Sequence, residues 1–192
     1  MFKEIVICAV LLLSGSQNAL TAPEQIDATY WHHYGRSKLD TARLQYEIFS
    51  VAQSLPDIRY SLYLSDLVLE TMAVETGLGS ADYIKADKRS HNYGICQFVL
   101  STAKYVMAHT SKADKPVLMT YYDSSLSLVD NLRTNVRFNI ALCLEYYFMR
   151  DKNLHAKIKT RPERAKVWKK LYNTSAGVGS AKGYLVTVAR YL

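Results

Sequence analysis

Apolar residues recur at helical spacing along most of this chain, in blocks separated by polar or glycine-containing breaks. The segment from Ser37 to Leu55 reads as a helix. Ser37 and Asp40 form a capping-type start, Leu39, Arg43, Tyr46 and Phe49 follow helical spacing, and Pro56 stops it. A second helix is predicted from about Ser61 to Glu75, with Leu64, Leu67, Val68, Thr71 and Met72 along one face. Gly77 and Gly79 then supply the left-handed geometry of a helix exit. Ser80 to Tyr93 is polar and charged and reads as a loop. Gln97 to His109 is expected to be helical, and so is a long segment from Leu126 to Arg150. Its buried stripe would be Val136, Ile140, Cys143, Leu144 and Tyr147. Pro162 and Glu163 open another helix reaching Tyr172, and a turn of small residues from Thr174 to Gly179 leads into a last helix, Ser180 to Leu192. Alternating strands, repeats and low-complexity linkers do not stand out, so the expected architecture is a mainly α single domain.

The N-terminus changes the picture. Lys3 is followed by an apolar run from Ile5 to Leu13 and then by small and polar residues from Ser14 to Ala22. The run falls short of the roughly 20 residues that span a bilayer. It has the order of a secretory signal peptide, with Ala19 or Ala22 before the cut. The expected organisation is a signal peptide over 1–22, an N-terminal helical segment over 23–60 packed on the domain, and the main domain over 61–192. No stable membrane span would remain after processing. Lys and Arg exceed Asp and Glu by 24 to 17, a net charge of +7 that suits polyanionic surroundings without choosing among them. Nucleic acid is disfavoured by the signal peptide and by the lack of a recognised binding motif. Export leaves Cys96 and Cys143, and two thiols in an oxidising compartment suggest a bridge. The histidines and cysteines make no metal-site spacing, and no cofactor is expected.

One residue does not suit a plain helix. Glu75 shares a face with Thr71, Met72, Val68 and Leu64, and that apolar face should point inward. It also sits in the last turn, where the negative end of the helix dipole opposes an anion. Desolvation and dipole both raise a carboxyl pKa, desolvation more strongly, and a carboxyl protonated near neutral pH is what a general acid requires. The plainer alternative is a terminal glutamate reaching solvent.

Downstream, Gly94-Ile95-Cys96-Gln97-Phe98 resembles the glycine–aliphatic–x–glutamine segment of soluble lytic transglycosylases and goose-type lysozymes. There the segment follows a helix bearing the catalytic glutamate, which is usually followed by Ser; here the pair is Glu75-Thr76. Asn139-Ile140 is similar to the family's third motif. Leu171-Tyr172-Asn173, followed by Ser175-Ala176-Gly177, is similar to its Ala-Tyr-Asn-x-Gly motif, with two extra residues after Asn173. Leu100 stands where proline is common and Cys96 where methionine is common. The resemblance covers roughly Leu62 to Leu192.

It implies a lysozyme-like fold and cleavage of the MurNAc–GlcNAc β-1,4 bond of peptidoglycan, with Glu75 as catalytic acid. A lytic transglycosylase needs no second carboxylate, because the substrate's acetamido group assists, and its product ends in 1,6-anhydromuramic acid. By the resemblance, Tyr172 would orient Glu75 and Gln97 would contact sugar, while Asn173 and Tyr93 are further candidates to support the site. A local role for the Gln97 amide, bonding its own backbone, is the alternative. The family packs the segments of Cys96 and Cys143 together, which turns the suggested bridge into a Cys96–Cys143 disulfide, worth about 3 to 4 kcal/mol if unstrained. A hydrolytic lysozyme would instead need a second acid, for which Asp82 and Asp87 are the nearby candidates. A secreted glycan-binding module without activity is the other alternative. The expected partner is the glycan strand, in the periplasm or outside the cell, with a secretion machine or other protein as a further partner that the sequence does not name.

Overall fold

A computed structural model of the chain describes residues 40–58, 61–79 and 91–192. The signal-peptide expectation over 1–22, Ser37, and both Asp82 and Asp87 lie outside these residues. The described part is mainly helical.

Helix α1 (Thr41–Ser54) starts at Asp40, whose side chain accepts from the Arg43 N–H at 2.8 Å, and ends at Leu55 before Pro56. Its buried face differs from the expected one. Leu44, Ile48, Val51 and Ala52 point inward, while Tyr46 and Phe49 remain 39% and 38% exposed. The row Leu44-Ile48-Val51-Leu55 is apolar throughout, whereas the expected row carries a charge at Arg43, so burial selects the former.

Helix α2 (Leu62–Thr76) is capped by Ser61, which accepts from the Leu64 N–H at 3.1 Å. It exits through Gly77 at φ +58°, whose N–H reaches Ala73 O at 2.9 Å. A Cβ on Gly77 would lie 2.7 Å from the Tyr191 ring, so the position serves both the left-handed turn and a close approach. From Leu67 to Ala73 every residue of α2 is buried, which marks a helix enclosed on all sides.

A two-residue hairpin follows, β1 (Asn92–Tyr93) pairing antiparallel with β2 (Phe98–Val99). Helix α3 (Leu100–His109) therefore begins three residues later than the sequence suggests, because Gln97 takes φ +52° in the turn and Phe98 pairs with Tyr93. After α4 (Asp114–Thr120), the expected long helix divides into α5 (Leu128–Thr134) and α6 (Val136–Arg150). Asn135 makes the break. Its side chain accepts from the Phe138 N–H at 3.0 Å and donates to Tyr121 O at 2.6 Å, ending one helix and capping the next.

A 3-10 turn (Leu154–Lys157) leads to α7 (Arg161–Val167), whose start is a capping box between Thr160 and Glu163. The chain then widens into a π-helical segment, Trp168–Asn173, before α8 (Ala181–Tyr191), capped by Ser180. Helix α6 is buried without interruption from Phe138 to Tyr147 and packs against α1 to α5 and the π segment. It is the axis of one continuous core.

Two buried carboxyls tie α4 to that axis. Asp114 is 0% exposed and Glu145 is 1% exposed; Asp114 Oδ1 accepts from the Asp57 N–H at 2.8 Å, whereas Asp114 Oδ2 and Glu145 Oε1 are buried with no other hydrogen-bond partner, close enough for the Asp114 charge to act on Glu145. Burial first, then the charges of Asp114 and Asp57, pushes Glu145 up to about 8. The folded pKa exceeds the unfolded one, so this pair's stabilisation is complete below the ordinary carboxylate range and is lost as pH rises towards about 8. Glu145→Gln keeps a donor for Asp114 and has no charge to gain. The difference in melting temperature between variant and native protein should therefore move in the variant's favour from about pH 5 to about pH 8. Parallel melting curves across that range would show that Glu145 does not gain its charge there.

Candidate active site

Glu75 occupies the last turn of α2 and is partly exposed, with its carboxyl packed among protein atoms. The Trp168 indole N–H donates to Glu75 Oε1 at 3.0 Å. Burial raises the Glu75 pKa from the ordinary carboxylate range to about 7, and the indole hydrogen bond holds it from rising further. Cys96, Tyr147 and Tyr172 lie close enough for the Glu75 charge to raise their own pKa values.

The elements that resemble family motifs meet around this carboxyl. The Thr76 hydroxyl is 3.0 Å from both Met72 O and Ile95 O and accepts from the Gly79 N–H at 3.1 Å, which ties the end of α2 to the 94–97 turn. Gly94, at φ +73°, closes against α5 and α6. A Cβ there would lie 1.9 Å from Leu132 O and 2.5 Å from Asn139 Oδ1, so a side chain does not fit. The Asn139 amide donates to Leu132 O at 2.6 Å and to Asn135 O at 3.2 Å. Its place is structural, at the junction of α5 with α6.

Gln97 uses its amide locally, with Nε2 donating to Gly94 O at 2.9 Å across its own turn. Tyr172 does not hold Glu75. Its hydroxyl donates to Cys96 O, and its ring packs against Tyr146 and Tyr147, each with centroids 5.3 Å away. The donor on Glu75 is Trp168, four residues earlier. Asn173 Oδ1 accepts from Lys169 Nζ at 2.8 Å, and the same ammonium donates to Gly177 O at 2.8 Å. A Cβ on Gly177 would sit 2.4 Å from Asn173 O, so the longer turn still folds back onto Asn173. Tyr93 lies in β1 beneath the Arg133 guanidinium, 5.1 Å from its ring centroid.

The Cys96–Cys143 disulfide is not formed. Both cysteines are free and buried, and they lie close enough for Cys143 to act on the Cys96 thiol. Burial, the neighbouring thiol and the Glu75 charge all push the Cys96 pKa well up, and the thiolate that forms a disulfide is disfavoured there. The pair acts as small apolar core residues. Among the described residues, no group of three or more His, Cys, Asp or Glu side chains is placed to hold a metal ion.

Trp168, the donor on Glu75, lies in none of the motifs of the sequence. The signal was present: it lies one helical turn before Tyr172, and indole is a donor-only side chain that seeks a partner when buried.

Among known proteins, no family model, curated protein or solved structure matches the chain.

Proposed function

We propose that this protein is an exported, lysozyme-like enzyme that cleaves the glycan strands of peptidoglycan as a lytic transglycosylase, with Glu75 as its acid. The observation that carries this reading is the Glu75 carboxyl itself, held near neutrality between burial and one indole hydrogen bond at a helix end. Supporting it, Gly94, Asn139, Tyr172 and Thr76, the residue after Glu75, widely separated in sequence, converge on one turn.

At pH values up to about 7 Glu75 holds a proton. It would give that proton to the glycosidic oxygen, leaving the carboxylate to remove the proton of the muramoyl C6 hydroxyl. Bond breaking and ring closure then use one protein group in two states, and no water is consumed. Trp168 stabilises the carboxylate form between the two steps.

Mass spectrometry of fragments released from purified cell-wall sacculi tests the proposal. Ends of the 1,6-anhydromuramoyl type are expected. Hydrated reducing ends would move the protein to the hydrolytic lysozymes, and release of no fragments would reject the enzymatic reading.

A further inference from the structure

We propose that Trp168 is the positioning residue of the acid, its indole N–H determining which oxygen of Glu75 carries the proton. A neutral carboxyl has one oxygen that accepts a hydrogen bond and one that donates. The indole nitrogen can only donate, and it lies 3.0 Å from Oε1. With Oε1 occupied as acceptor, the proton belongs on Oε2, and the acid has a single orientation. A tyrosine hydroxyl, which can donate or accept, would not impose this choice, and that of Tyr172 is committed to Cys96 O.

The indole is itself held from two sides. Its ring meets that of Tyr184 at 5.3 Å, and the Tyr184 hydroxyl donates to Glu70 Oε2 at 2.7 Å. Arg164, one turn before Trp168, donates to the same Glu70 carboxylate through Nε and Nη2, both at 2.8 Å. Gly179 leaves room for the far edge of the indole, since a Cβ there would lie 2.5 Å from Trp168 Cη2. Glu70 and Glu75 both belong to α2, so the helix that carries the acid also anchors the residue that orients it.

This inference rests on the reading of Glu75 as the acid, but the hold of the indole on the carboxyl exists whether or not a glycan is cut. The test replaces Trp168 with benzothienylalanine, which keeps the ring shape and exchanges the N–H for sulfur; Trp168→Phe is the simpler companion. The Glu75 carboxyl is followed by 13C NMR titration in the ligand-free protein, its signal assigned by its loss in Glu75→Gln. The titration midpoint should rise by about one to two pH units when the N–H is removed. In the pH–rate profile of fragment release the basic limb should shift upward with it, and kcat should fall roughly tenfold with KM retained. An unchanged midpoint in the benzothienylalanine protein would overturn the assignment. A shifted midpoint in a protein whose native form cuts no glycan would support Trp168's control of the carboxyl and reject the proposed activity.

Discussion

The Glu75→Gln variant is expected to release cell-wall fragments about a hundredfold to ten-thousandfold more slowly than the native protein, without loss of stability. Glutamine preserves the shape of the side chain, and its carbonyl oxygen can still accept from Trp168 Nε1, so the local hydrogen bond survives. What it lacks is a transferable proton. The stability side has a definite sign. Glu75 has a folded pKa of about 7, above the ordinary carboxylate value, so the native protein loses stability as pH rises towards and through about 7. The neutral amide escapes that loss. Above about pH 7 the variant should melt at or above the native temperature while remaining inactive, a combination that separates a catalytic group from a structural one. Initial rates on sacculi, with thermal melts at about pH 5 and about pH 9, roughly two pH units either side of the Glu75 transition, provide both readouts. A near-native rate would remove Glu75 from the mechanism.

Glu70→Ala is expected to destabilise the protein by about 3 to 5 kcal/mol. Glu70 is 2% exposed and accepts from Arg161, Arg164 and the Tyr184 hydroxyl. Arg164 is only 6% exposed, so removal of the carboxylate leaves most of a guanidinium charge in the interior with Asp66, 3.5 Å away, as its remaining acidic partner. Arg161 is more exposed and can turn to water, whereas the buried Tyr184 hydroxyl loses its acceptor. The loss therefore measures stranded partners and not the worth of the ion pair. Replacing the group together, as Glu70→Leu with Arg164→Met and Tyr184→Phe, should recover much of the stability. Urea denaturation of both variants decides it. A loss of under about 1 kcal/mol in Glu70→Ala would show that the cluster is solvated like a surface pair.

Several helix stops and starts were legible in the sequence because they depend on neighbours within one turn. Ser61, Gly77 and Ser180 act through backbone groups three or four residues away, as local chemistry requires. Glu75 was legible for a related reason: its spacing from Thr71 and Met72 placed a carboxylate on an inward-facing helix end, and burial did raise its pKa. The sequence also contained the glycine–glutamine segment and the Tyr172–Asn173 pair, but their roles depended on contacts it does not encode locally. Gln97 is the exception: its amide bonds to Gly94 O three residues back, the local alternative that the sequence left open. Tyr172 found Cys96 O, and Trp168 reached Glu75 across 93 positions of chain. Glu70 carries no mark in the sequence, and only the packing of α7 and α8 gives it Arg164 and Tyr184 as partners. Asn135 broke a stripe that reads as continuous, because Tyr121 O offers a partner that periodicity cannot reveal. Periodicity records which residues prefer to leave water; which polar atom meets which is decided when helices distant in sequence pack, since a buried donor must take the acceptor that packing brings within reach.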